Sequence, residues 1–159
     1  FVDLGRATAS LLTRGFPILI AYYFLIGLIF PAEPITWLFM AISLVFSWFI
    51  SFSFRFLVNL TAFWSPNSRG IMRFLFFTSW FFSGFLMPLR FFPEVVTKIM
   101  YLTPFPHMIN SMMEIYLGNH DVPGMVTILF GQITWSIGLV IIVKIGLRAG
   151  MRRLVIQGG

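Results

Sequence analysis

The sequence predicts an all-α membrane protein with four transmembrane helices, two short re-entrant or interfacial outer helices and an N-terminal amphipathic helix. Composition, four long uncharged runs and a one-sided distribution of positive charge support this fold class. Of the 159 residues, 58% are hydrophobic and only 10% are charged, whereas soluble domains carry about 25% charged residues. Small soluble domains bury only about 60 to 70% of their chain surface, so the excess apolar surface needs lipid as its solvent.

Four uncharged runs are each close to the roughly 20 residues that a helix needs to cross a hydrocarbon layer about 30 Å thick. The expected spans are residues 15–32, 35–58, 71–89 and 122–147. The third run, between Arg73 and Arg90, is the shortest, so both arginines must reach the interfaces or the bilayer must thin. We expect residues 1–159 to form a single transmembrane domain that is part of a longer chain.

The positions of lysine and arginine orient these spans. Four crossings place both ends of the chain and its middle loop on one side. That side collects Arg6, Arg14, Arg55, Arg69, Arg73, Lys144, Arg148, Arg152 and Arg153. The other side holds only Arg90 and Lys98 of the 11 lysines and arginines. Because cytoplasmic loops carry the positive excess, we expect both ends in the cytoplasm.

The predicted location is therefore the plasma membrane, as a multi-pass protein, and specifically a bacterial inner membrane. The net charge of +6 fits this topology and an attraction to anionic lipid on the inner leaflet. No clustered basic face with a recognition fold is visible, so we expect lipid contact and no nucleic-acid partner.

The N-terminal segment combines apolar and basic residues at helical spacing. Leu4 and Leu11 recur beside Arg6 and Arg14, a pattern typical of a short amphipathic helix on the membrane surface. Two interpretations stay open: a frayed lead-in to the first span, or a docking element for a cytoplasmic partner.

The outer segment, residues 90–121, is too apolar for an ordinary loop and too rich in proline to cross the membrane. Pro93 can start a helix, in which Glu94 and Lys98 would form an i,i+4 ion pair. The two outer helices together are expected at about residues 93–117.

Pro104 and Pro106 would end the first outer helix. A second short helix is expected over residues 107–117, with Gly118 as its left-handed C-terminal cap. Irregular backbone at membrane depth is tolerated only where protein shields it or a watery cavity faces it. The outer segment is therefore either a lid over a translocation path or a membrane-surface anchor.

Small residues recur on single faces of three predicted spans. Such faces let helix backbones approach closely, and serine hydroxyls can bond across the interface. The predicted packing residues are Ser43, Ser47, Ser51, Ser79, Ser83, Gly131 and Gly138. Helix packing is the favoured interpretation over substrate contact.

No Asp, Glu or His lies inside the four runs, whereas ion-coupled transporters usually keep an ionisable group at mid-membrane. His107 and His120 lie in the outer segment without metal-site or paired-carboxylate spacing, and both are expected to be surface or interfacial residues. Cysteine is absent. We therefore expect no catalytic, cofactor-binding or metal-binding residue in this chain.

Several short motifs occur in a defined order along the chain. They are Ala62-Phe63-Trp64-Ser65, Ser68-Arg69-Gly70, Phe82-Ser83-Gly84-Phe85-Leu86-Met87-Pro88-Leu89, residues 93–102 with Pro104-Phe105-Pro106, Gly150-Met151-Arg152-Arg153 and Gly158-Gly159. In this set the sequence resembles the C-terminal two-thirds of an ABC transporter permease of the type 2 exporter class. Leu154 departs from the aromatic residue expected in that tail, so the resemblance leaves the subfamily open.

The resemblance implies two further helices before Phe1 and a cytoplasmic coupling role for the N-terminal segment. It also implies an ABC ATPase subunit as partner, and a second copy or a homologous permease that completes the path. No Gly-x-x-x-x-Gly-Lys-Ser/Thr phosphate loop is present, so ATP would be bound and hydrolysed by the partner and no cofactor directly by this chain.

Two other function classes remain alternatives. A channel or ion-coupled carrier subunit would be supported by an ionisable residue in the spans expected before Phe1. A non-transporting membrane scaffold would have the same composition. The substrate is not predicted, because drug, lipid, polysaccharide and peptide exporters could share all these features.

Overall fold

The computed structural model describes residues 5, 9–25, 30–31, 33–65 and 68–157, with backbone alone at residues 11, 14, 19, 22 and 153–157. Within these ranges every regular element is helical. The chain divides into two compact units, Phe1–Phe30 and Pro31–Gly159.

The first unit contains a π-helical turn, Leu11–Gly15, that continues into helix α1, Phe16–Leu25. Its apolar side chains are largely exposed; Phe24 and Leu25, for example, are 79% and 81% accessible. This helix lies within the first predicted span. Four residues were predicted to couple to a partner. Leu4 and Arg6 lie outside the described residues, and at Leu11 and Arg14 the structure describes only the backbone.

Helix α2, Pro34–Leu60, opens the second unit. A proline in the first turn suits a helix start, because its missing N–H would have no intrahelical partner there. A 3₁₀ turn, Thr61–Phe63, extends the helix. At about 1.5 Å per residue, α2 is about 40 Å long and exceeds the hydrocarbon thickness.

Helix α6, Val122–Gln157, is the second long helix. Among the described residues, two helical stretches are long and apolar enough to cross a membrane, Pro34–Phe63 and Val122–Arg152. Large apolar side chains on both are exposed, including Val45, Phe130 and Ile145 at more than 60%. Such faces match lipid as surrounding solvent.

Helices α2 and α6 pack side by side and run parallel. Along them, Gln132 bonds to Ser43, and further on Gly146 faces Leu60. A third contact, between Gly150 and Phe63, follows in the same direction. The contacting residues have increasing numbers on both helices, so the two helices point in the same direction. The chain between them, residues 64–121, must therefore run back from the end of α2 to the level of its start.

The charges at the two ends of this pair have opposite signs. Glu33 and Asp121 immediately precede α2 and α6. Arg55 and Lys144 lie at similar levels near the other end, since both fall shortly before the Leu60–Gly146 contact. About 20 residues, or roughly 30 Å, separate the two levels along α2, which equals a hydrocarbon layer. That the cationic end faces the cytoplasm stays a prediction.

Helix α3, Ser68–Phe82, begins the return and is about 22 Å long. The predicted third span continued to Leu89, but the helix ends earlier. Gly84 adopts φ +82°, the left-handed region that favours glycine. Of the four predicted spans, the described residues therefore contain two helices long enough to cross a membrane. That α3 also crosses the membrane stays a prediction.

The connecting segment, residues 83–121, carries two short helices, α4, Glu94–Tyr101, and α5, Asn110–Tyr116. Pro93 stands at the N-cap of α4, and the Glu94–Lys98 ion pair is confirmed at 2.8 Å. The second helix starts at Asn110, later than expected.

Between α4 and α5 lies the turn, residues 102–109, which contains Pro104 and the 3₁₀ element Pro106–Met108. Gly118 follows α5 with φ +67°, as expected for a left-handed C-terminal cap. The turn packs against α2, where the Phe105 and Phe54 rings meet edge to face at 5.3 Å.

The parallel register gives a cross-linking prediction, because the chain has no cysteine of its own. Leu60→Cys combined with Gly146→Cys should be joined by a short bismaleimide and migrate faster on a denaturing gel. Leu60→Cys with Thr134→Cys is the control and should not react, since residue 134 lies about 18 Å back from residue 146 along α6. Cross-linking of the control pair in preference to the first pair would contradict the parallel register.

Candidate functional site

Gln132 lies at the centre of a buried polar cluster between α2, α6 and the turn. Its side chain is fully buried, and its Nε2 donates to the Ser43 carbonyl at 3.3 Å and the Ser47 Oγ at 3.0 Å. It also reaches the His107 carbonyl at 3.1 Å. The Ser47 hydroxyl donates to that same carbonyl at 3.2 Å. We call these residues, with Ser111, the buried joint.

The serines explain how α6 approaches α2 so closely. Ser43 and Ser47 are one helical turn apart on α2, and both are buried. Their small side chains leave room for the Gln132 amide. Among the predicted packing serines, all of which lie in the described part of the chain, Ser47 is the one whose hydroxyl donates to another element. Ser79 and Ser83 instead donate to carbonyls of their own helix.

The joint keeps some hydrogen-bonding capacity unused. The Gln132 Oε1 and the hydroxyls of Ser43 and Ser136 are buried and have no partner among the described residues. Buried polar groups are normally paired, so these atoms are exceptions. The joint is therefore held through the NH₂ group of one amide and the hydroxyl of one serine.

His107 is buried, with 6% of its surface accessible, so the expectation of a surface or interfacial residue is wrong at this position. Its ring lies against Gly131, where a Cβ would come within 2.8 Å of Cε1, and its Nδ1 is 3.0 Å from the Ser111 Oγ. The His107 ring fits there because Gly131 has no side chain.

The turn reaches far along α2. Ser47 lies about 20 Å from Pro34 along the helix axis at 1.5 Å per residue. A turn bonded to Ser47 would therefore lie well inside an apolar layer about 30 Å thick. Its 3₁₀ element Pro106–Met108 is buried throughout, which meets the requirement that irregular backbone at such depth be shielded by protein.

A second polar cluster ties α4 to α5. The Tyr101 hydroxyl donates to the Glu114 Oε1 at 2.6 Å, and the Asn110 Nδ2 donates to both, at 2.7 and 2.8 Å. His120 places its Nε2 3.2 Å from the Glu114 Oε2. Burial, together with the Glu114 carboxylate, raises the pKa of Tyr101, so the phenol stays a donor. We call these four residues the carboxylate cluster.

The backbone N–H of Asn110 donates to the Ser83 carbonyl at 3.2 Å, which links α5 to the end of α3. Gly84 permits this link, because a Cβ there would meet Asn110 at 3.1 Å. Asn110 therefore connects the end of α3 with the carboxylate cluster.

The structure places the predicted packing residues in different surroundings. Ser43, Ser47 and Gly131 belong to the joint or line it. Gly138 meets only Trp135, at 4.0 Å, and Ser51 lies half-buried beside α3.

Sequence reasoning missed Gln132 and the carboxylate cluster. Gln132 could have been found, because it is an amide within an otherwise apolar run, and such polar side chains tend to form hydrogen bonds between membrane helices. Among the described residues, no three metal-ligating side chains converge.

A family model described as an ABC-2 family transporter protein matches residues 8–158. The chain belongs to this ABC-2 transporter family. Neither a search of curated proteins nor a search of solved structures returned a match.

Membership confirms the resemblance found in the sequence and makes the ABC-2 chain a permease-type membrane component rather than the ATPase. Permeases of this family work with an ABC ATPase component, generally as dimers. The match includes α2, α6 and the whole connecting segment, so the buried joint lies within the family's own domain.

Removing the amide of the joint should loosen the ABC-2 chain. Gln132→Met keeps the length of the side chain but leaves the His107 carbonyl with Ser47 alone. We expect a loss of about 1 kcal/mol of unfolding free energy, measured as a lower thermal midpoint in detergent. Thr134→Val is the control, since its hydroxyl bonds only within α6. Equal effects of the two changes would contradict the assignment.

Two of the glycines of α6, Gly131 and Gly138, should respond differently to replacement by alanine. Gly131→Ala drives a methyl group into the His107 ring and should destabilise the protein by about 1 to 3 kcal/mol. Gly138→Ala meets no atom closer than 4.0 Å and should be neutral or stabilising by up to about 1 kcal/mol, as a helical glycine is replaced. Thermal unfolding of both variants tests this; a tolerated Gly131→Ala would refute the close packing.

Proposed function

We propose that this chain is the membrane-spanning permease subunit of an ATP-driven ABC exporter. In this proposal it lines the translocation path, and a second copy or a homologous permease completes that path. ATP is bound and hydrolysed by a separate ATPase subunit. The family match over residues 8–158 is the observation that carries the proposal.

The parallel pair α2 and α6 supports four crossings as part of this proposal. Two neighbouring helices that cross in the same direction require the chain between them to cross back. In this proposal helix α3, Ser68–Phe82, carries the chain back across the membrane. Because α3 is short, its flanking arginines would reach to the interfaces or the bilayer would thin around it. The first unit, with α1, supplies the remaining crossing.

The charges support the proposed orientation and location. Arg55 and Lys144 lie at one level near the C-terminal side of the helix pair. Glu33 and Asp121 lie at the other end, each just before the N-terminus of its helix. In a bacterial inner membrane the cationic level would face the cytoplasm. Both ends of this chain would then lie on the cytoplasmic side, within reach of an ATPase subunit.

The buried joint suggests how motion could pass to the opposite side. Closure of the ATPase subunits would push the N-terminal segment that contains Arg6 and Arg14, and the spans would tilt. Because α2, α6 and the turn share the His107 carbonyl, a tilt of either long helix would move the turn with it. The path would open outward by alternating access.

Copurification tests the proposal. A tagged chain should bring down an ABC ATPase subunit, identified by mass spectrometry, and the complex should hydrolyse ATP. Arg14→Glu should reduce recovery of the ATPase about tenfold, as expected when a charge pair is reversed at an interface. Arg90→Glu, at the other end of the predicted topology, is the matched control.

Recovery that is equal for both variants would contradict the coupling role of the N-terminal segment. A chain that purifies without an ATPase and transports in proteoliposomes without ATP would overturn the function itself.

A further inference from the structure

A cleft between α2 and α3 is not used by the buried joint. It is lined by Ser51, Phe54 and Arg55 from α2, and by Phe76 and Trp80 from α3, while the turn closes one end. The cleft has a volume of about 60 Å³. This is room for a few water molecules, far below the roughly 300 to 1,000 Å³ of pockets that enclose a drug-sized ligand.

The free polar groups on this cleft are donors. Arg55 and Trp80 can only donate hydrogen bonds, and the Ser51 hydroxyl can also donate. None of the three side chains has a hydrogen-bond or ion-pair partner within the described parts of the chain, whereas Ser79 already donates to the Phe76 carbonyl. The small group that fits this cleft is therefore an acceptor, and the guanidinium favours one with negative charge.

No carboxylate of the described chain can supply that charge. Glu33 and Asp121 lie at the far ends of α2 and α6, about 30 Å from the level of Arg55. Glu94 is paired with Lys98, and Glu114 belongs to the carboxylate cluster. The same lack of acids leaves no partner for the ammonium of a zwitterionic headgroup.

The depth of the cleft places it at the edge of the hydrocarbon layer. Arg55 shares its level with Lys144, next to an apolar stretch of bilayer length. Arg55 on α2 and Trp80 on α3 are both exposed, and tryptophan is enriched where lipid headgroups meet hydrocarbon. A headgroup could enter the cleft from the side while its acyl chains stay in the bilayer.

We propose that the cleft between α2 and α3 binds the phosphate group of an anionic phospholipid, with Arg55, Ser51 and Trp80 as its donors. Guanidinium binds phosphate through two parallel hydrogen bonds, and the anionic headgroup compensates the unpaired charge. The site rests on the proposed orientation, in which this level faces the anionic inner leaflet.

Native mass spectrometry of the purified chain in detergent, titrated with phosphatidylglycerol, tests the site. The wild-type chain should retain one phosphatidylglycerol more tightly than phosphatidylcholine. Arg55→Gln should weaken that binding about tenfold or more, as a charged hydrogen bond is lost. Trp80→Phe keeps the aromatic wall and should weaken it by a smaller factor. Arg69→Gln removes an exposed arginine in the first turn of α3 that does not line the cleft, and should bind as wild type does.

Equal affinity of wild type and Arg55→Gln, or an equal loss in Arg69→Gln, would overturn the site. Displacement of phosphatidylglycerol by excess inorganic phosphate would instead identify free phosphate as the occupant and overturn the lipid proposal. The measurement needs no ATPase and no transported substrate, so its outcome is independent of the copurification result.

Discussion

Inside a bilayer no water is available to satisfy a backbone carbonyl, and this constraint governs the second unit. The turn between α4 and α5 brings the His107 carbonyl to a depth at which it would be stranded in lipid. Gln132 and Ser47 satisfy it from two helices at once. The small residues around it follow from the same need, because only serine and glycine let the long helices and the His107 ring come together.

The connecting segment is held by two neighbouring polar clusters of different chemistry, and the Tyr101 and His107 rings, one from each cluster, lie 5.9 Å apart. The joint uses neutral groups, an amide, a hydroxyl and a carbonyl, whose burial costs less than that of a charge. The carboxylate cluster surrounds Glu114 with the Tyr101 hydroxyl, the Asn110 amide and the His120 ring. A charge is tolerable there because Glu114 and His120 are both partly exposed.

The sequence was informative where one physical rule dominates. Long uncharged runs predicted both long helices, Pro93 and Gly118 marked helix ends, and the serine stripe indicated a packing face on α2 without naming the helix that packs there. Tertiary contacts decided the rest. Gly84 is a local signal that could have ended α3 before Leu89, but only the contact with Asn110 shows why its left-handed conformation is needed. Likewise, His107 is polar by type and buried only because residue 131 has no side chain.

The separation of the joint in sequence bears on how the protein assembles. Gln132 is 89 residues from Ser43, so the amide is synthesised long after the helix that it bonds. Until α6 arrives, the serine face of α2 and the His107 carbonyl lack their main donor, and loop-closure entropy opposes an early match. Helix α6 therefore fixes the turn in place, and a chain interrupted before it would leave the His107 carbonyl without its Gln132 donor.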